Sequence, residues 1–388
     1  MIAYDKSLLE ATFLIEETQI LKEAAFITNE QAIAHSKELT TLKSQNNHLI
    51  RIGFFILGVI LYTSICGTLS LFMMSAIQHY YQILFLLFGI IGIVGAEYMT
   101  RALHYFGYGL DDAFVLGAIM WFIVAIGAFS NGDELLICFA LVLISAITYL
   151  RYLHAYSVLL LCIGIAGCVF YGAYNLGAIG KMIIPFALMK TAVILYVAAK
   201  KGESKIILPY FSKGIPILYG FSLVLFYIAG NYFVVRELSI ELMGTVIPAG
   251  KDIPFAWLFY GFTLVIPIIY IVFSLFKKDR IMLWIGLLAF AFSIFTIRYY
   301  YHVLPAEVAL TLGGIILFLL TYFSIKKLKN NTSGVTFQPD RFQNQSFANT
   351  EALLVATKFG IHPEAPKPEN NINFGGGGFS GGGSSGQY

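Results

Sequence analysis

Apolar and polar positions divide the chain into three zones. From Ile50 to Ile325 long apolar runs follow one another across short polar loops, while residues 1–49 and 326–388 are polar flanks. Each run approaches the length an apolar helix needs to cross hydrocarbon, about 17–25 residues. The runs predict spans at 50–74, 80–97, 112–130, 134–150, 155–174, 181–199, 214–235, 253–276, 280–297 and 305–325. In lipid only closed helices or barrels satisfy their backbone, and nothing in the chain alternates like a barrel strand. The predicted fold is therefore all-α, a polytopic transmembrane helical bundle of about ten spans.

In the first flank, Leu9, Phe13, Ile20 and Ala24 fall on one helical face, with Glu10, Glu16, Glu17 and Glu23 largely off it. A second helix starts at Thr28-Asn29-Glu30-Gln31, a capping-box pattern, and runs towards Leu39 and Leu42. So small a hairpin cannot bury a core of its own. It is expected to dock on the bundle or on another subunit, a partly ordered leader being the alternative. It has no apolar core segment of a signal peptide and no lipidation motif. Past Ile325, residues 330–348 read as a polar linker, Thr350–Lys358 as two turns of helix, and His362–Asn371 as a proline-rich connector. The stretch Phe374–Tyr388 reads as a disordered, glycine-rich tail.

Charge sets the expected orientation. With both termini in the cytosol, fifteen basic residues flank the inner ends of the spans, including Arg51, Arg101, Arg151 and the Lys200–Lys213 and Lys326–Lys329 clusters. Only four lie outside: Lys181, Arg236, Lys251 and Arg298. That bias follows the positive-inside rule. Composition agrees: 58% of residues are hydrophobic and 12% charged, against about 25% charged in a soluble chain, with a mean hydropathy of +0.76. A net charge of +3, spread over many loops, argues against nucleic acid. Cys66, Cys138, Cys162 and Cys168 lie in apolar runs without ligand spacing and read as small hydrophobes.

Few residues could carry chemistry. Lys190 stands mid-way along the sixth predicted span, where a cation costs roughly 2.5–3.5 kcal/mol on insertion scales. It is the candidate for a midplane transport site, with Pro185 loosening the helix beside it. The copies Arg101-Ala-Leu-His104 and Arg151-Tyr-Leu-His154, preceded by Ala96 and Ala146, would place two Arg/His pairs at one depth. They could bind an anion or lipid phosphate, or simply anchor helix ends at the interface. Arg298 and Glu307 could pair across the outer turn before the tenth span, although Glu307 also suits a helix N-terminus. Glu97, Asp111, Asp112, Asp133 and Glu134 read as solvated loop ends. His79 and His302 lack a third ligand, so no metal or cofactor is expected. P-loop, GxSxG, HExxH and DxDxDG motifs are absent.

The hairpin segment Phe26-Ile27-Thr28-Asn29-Glu30-Gln31, the last hairpin Arg298–Phe318 and the glycine-rich tail resemble a bacterial family of membrane proteins, the domain of unknown function 2157. This chain has Ala25 where that family often has glycine. The resemblance implies a multi-pass protein of the bacterial inner membrane with cytosolic N-terminal helices, and it carries over no activity. Three function classes follow. The first is a non-enzymatic envelope scaffold or sensor, with a protein partner or second copy held through residues 1–49 and 326–388. The second is a small-solute or lipid transporter with a site near Lys190. The third is an intramembrane enzyme, which would need a second polar group deep in the bundle.

Overall fold

The computed structural model describes residues 2–23, 27–45, 47–205, 209–241, 244, 252–301 and isolated positions between 308 and 326. Residues 1–339 form one unit and 340–388 another. The second unit, with the expected short helix and glycine tail, lies outside the described residues, as does most of the expected tenth span at 305–325.

The described residues hold thirteen helices and no strand beyond one isolated bridge, Lys43 to Tyr105. Helices α1 (Lys6–Glu23) and α2 (Asn29–Glu38) come first. Then follow α3 (His48–Phe72), α4 (Met74–Arg101), α5 (Leu110–Phe129), α6 (Glu134–Tyr152), α7 (Ala155–Tyr174) and α8 (Ala178–Lys205). After a single turn, α9 (Pro209–Ser212), come α10 (Ile215–Gly230), α11 (Tyr232–Glu241), α12 (Ala256–Lys277) and α13 (Arg280–Tyr301). Nine segments among them are long and apolar enough to cross a membrane: α3 to α8, Tyr210–Gly230, α12 and α13. The chain is an all-α, multi-pass membrane protein.

Local chemistry sets several boundaries. Thr28 and Gln31 cap α2 reciprocally, side chain to backbone, as the sequence pattern requires. Asp133 caps α6 by accepting from the Leu136 N–H at 3.0 Å. The seventh span ends five residues before the run 214–235 suggests, at Gly230. Asn231 adopts an extended conformation after Gly230, and its side chain accepts from Val234 N–H, so a new helix, α11, starts there.

The first five spans pack around α5, which touches α3, α4 and α6. Tyr62, Phe88, Phe114 and Ile119 fill that core. In the second group α10 packs on α8, α12 and α13 around Tyr219, Leu223, Tyr227, Ile266 and Tyr270, and α7 bridges the groups through α6, α8 and α10. With lipid as apolar as the side chains, close backbone approach replaces the hydrophobic effect as the source of helix association. Gly92 on α4 shows it: a Cβ there would stand 2.7 Å from Ala118 Cβ and 2.9 Å from Ala118 Cα on α5.

Gly92→Val should therefore part α4 from α5 and lower stability in detergent by about 1–3 kcal/mol. Gly67→Ala, where a Cβ meets nothing within 4 Å, should cost far less. Denaturant titration followed by tryptophan fluorescence reads both, and equal losses would show that the α4–α5 contact is loose.

Candidate functional site

The polar groups that matter gather at one end of the first five spans. After α4 the chain runs through Phe106-Gly107-Tyr108-Gly109 into α5, and two of these residues need glycine. Gly107 has φ +63° with the Arg51 guanidinium beside it, and Gly109 has φ +109° with the backbone of α3 pressed against it. The turn folds back on Asp111, whose carboxylate accepts N–H groups from Gly107 (2.7 Å), Tyr108 (2.9 Å) and Gly109 (3.0 Å). Asp111 is fully buried. Its charge is met by three backbone dipoles and the N-terminus of α5.

Asp112, 4% exposed, points the other way. Arg51 of α3 donates from Nε to its Oδ2 at 2.7 Å. His154 Nδ1 lies 2.8 Å from its Oδ1, a close charge contact off the ideal hydrogen-bond angle. His154 reaches this place because Leu153 ends α6 in the left-handed conformation, φ +59°, reversing the chain within two residues. The imidazole stacks on Tyr156, whose hydroxyl donates to the Asp112 carbonyl at 2.8 Å. His154 Nε2 is buried without a hydrogen-bond partner, 3.9 Å from Asp111 Oδ2.

A second knot lies beside the first. Glu97 of α4 takes Arg151 of α6 and Arg101 of its own helix on its two oxygens, and the Tyr152 hydroxyl donates to Oε1 at 2.7 Å. The N-terminal segment covers this end. Ala3 N–H donates to the Arg151 carbonyl at 2.9 Å, and the Tyr4 hydroxyl donates to the Tyr152 carbonyl at 3.2 Å. Leu9 and Phe13 of α1 sink into a cluster with Tyr4, Leu42, Phe106, Leu153 and Tyr210, and Glu16 pairs with Lys213 at 2.9 Å.

The expected site residues thus part company. Arg101, Arg151 and His154 meet at this end, but His104 sits apart at φ +56°, its carbonyl accepting from Lys43 N–H. The two Arg-x-Leu-His copies are not equivalent: both arginines share one carboxylate, Glu97, and only the second histidine enters the buried cluster. Lys190 is exposed on the outer side of α8, Arg298 is exposed near the end of α13, and Glu307 lies outside the described residues, as do His302 and the His79 side chain. The reading of Glu97, Asp111 and Asp112 as solvated loop ends is overturned. Both aspartates are buried and Glu97 is largely enclosed, because α3, α6 and the N-terminal segment close over the loop. Arg51, counted only as an inner-flank charge, proves to be the partner of the buried Asp112.

Donor atoms of Asp111, Asp112 and His154 lie within 4.8 Å of one another, the spacing of a metal-binding group. Arg51 already supplies the cation Asp112 needs, and Asp111 is answered by amides, so the donor set suits a proton better than a metal ion. Burial works to lower the His154 pKa. The Asp112 contact and the charges of Asp112 and Asp111 outweigh it against the opposing Arg51, and hold the imidazole above its ordinary 6.5. Burial, then Asp111 and Asp112, push the Tyr4 hydroxyl well above its usual range, so it remains a donor.

Comparison with protein-family models, curated proteins and solved structures returns no match.

A histidine whose folded pKa is raised stabilises the fold fully below its unfolded value, about 6.5, and that contribution is lost as pH rises through the folded value. Wild-type protein in detergent should therefore lose stability as pH climbs above neutrality. His154→Gln should flatten that profile and lower stability on the acid side by roughly 3 kcal/mol. Thermal unfolding across pH checks both, and a flat wild-type curve would show the ring to be neutral.

Proposed function

We propose that this protein is a non-enzymatic scaffold or sensor of the bacterial inner membrane, with both termini in the cytosol and its N-terminal helices as the element that meets partners. One observation carries the reading: residues 3–13 lie beside the Arg51–Asp112–His154 cluster, seated through hydrogen bonds to the Arg151 and Tyr152 carbonyls, one from the Leu42 N–H to Thr12, and an apolar patch. An element seated by side-chain contacts rather than as a membrane span can leave as a unit, and His154 beside it responds to protonation. The excess of basic residues on the inner flanks supports the orientation. The resemblance to the domain of unknown function 2157, through Phe26–Gln31 and Arg298–Phe318, belongs to the same reading. The transport alternative needs Lys190 to open inward, and its exposure on α8 favours the scaffold reading.

Leu9→Glu with Phe13→Ser should unseat α1. Limited proteolysis should then cut residues 14–45 several-fold faster while the spans stay protected, and the set of proteins cross-linked to the full-length chain in membranes should change. An unchanged cross-linking pattern after unseating would sink the proposal.

A further inference from the structure

Lys190 is exposed, yet it is the thirteenth of the 26 residues in the span Ala178–Glu203. At 1.5 Å per residue, about 19 Å of helix separates it from either end. The hydrocarbon half-thickness is about 15 Å, and a lysine stem spans roughly 6 Å, so the ammonium does not reach the headgroups. Nor does it turn inward. Helix α8 gives Ile184, Met189, Ala192, Leu195 and Ala199 to the core. Lys190 instead shares its face with Ile183, Val193, Ile194 and Val197, all exposed by 41% or more. Among the described residues no hydrogen bond or ion pair reaches it. Thr191 beside it is turned back on the Ala187 carbonyl.

An ammonium group facing hydrocarbon calls for an anion at its own depth. A second copy of this chain does not offer one from the described spans, whose carboxylates stand at their ends: Glu97, Asp111, Asp112, Glu134 and Glu203. We infer that the Ile183–Val197 face of α8 docks a transmembrane helix of another protein that carries an Asp or Glu near its midpoint. Apolar side chains around Lys190 supply the packing surface, and the buried pair supplies selectivity. The partner helix needs an ionised carboxylate and small or aliphatic neighbours, since nothing else polar lines this face.

The test uses the full-length protein, donor-labelled, in phosphatidylcholine vesicles at about pH 8. Acceptor-labelled polyleucine transmembrane peptides carry either Glu or Leu at the centre. Energy transfer should report association about tenfold tighter for the Glu peptide, as expected of one polar pair between helices in lipid. Lys190→Leu should erase that preference and Lys190→Arg should keep it. Equal association of both peptides with wild type, or a preference surviving in Lys190→Leu, would overturn the inference. So would loss of the preference on adding phosphatidylglycerol, which would assign the counter-ion to lipid. Energy transfer between full-length copies that vanishes in Lys190→Leu would make a second copy the occupant and overturn it as well.

Discussion

The carboxylate of Asp112 is the point on which one end of this protein turns. A buried, unpaired carboxylate is costly enough that it must either gain partners or lose its charge. Here the partners come from different parts of the chain: a guanidinium from α3 and an imidazole from the turn between α6 and α7. Satisfying one charge thus fixes three elements relative to α5. Glu97 repeats the device, tying α4 to α6. Net stabilisation by such pairs is modest, but breaking one leaves a charge stranded, so they specify an arrangement more strongly than they hold it.

The second group of spans is built differently. Its buried polar groups are neutral: the Asn231 amide donates to the Tyr227 hydroxyl at 2.9 Å, Tyr227 meets Ser293 at 3.0 Å, and Thr263 accepts from Tyr232 N–H at 2.9 Å. Hydroxyls and an amide can bridge helices without the desolvation cost of ions. Among the described residues charged partners return at the helix ends, where Arg236 donates to the Tyr232 hydroxyl, the Tyr300 hydroxyl donates to Glu237 and the Tyr219 hydroxyl donates to Asp279. The helices are joined by ions near the ends of the first five spans and by neutral contacts within the later ones.

The spans were legible because hydrocarbon imposes a length and a composition that short-range reading detects. The cap at Thr28–Gln31 was legible for the same reason, being local. The site was only half visible. Arg101, Arg151 and His154 stood out through the Arg-x-Leu-His echo, but their partners did not, because Arg51 and Asp112 are 61 residues apart and Asp112 and His154 are 42. One local signal was available: Gly-Tyr-Gly-Leu-Asp-Asp is a turn whose glycines leave amides free for a carboxylate at the helix start. Glu97 and Arg101, four residues apart, also formed a visible helical pair. Nothing local showed that Arg151 would share that carboxylate, and nothing local set the face of α8 on which Lys190 lies.

The hydrogen bond from Ala3 to the carbonyl of Arg151 joins residues 148 positions apart. At a synthesis rate of about 5–20 residues per second, Ala3 waits roughly 7–30 s for the Arg151 carbonyl to be made. During that interval Leu9, Phe13 and Tyr4 are exposed, and the loop carrying Asp111 and Asp112 enters the membrane boundary before His154 exists. Residues 3–13 are therefore seated at this end only after the turn between α6 and α7 that they cover.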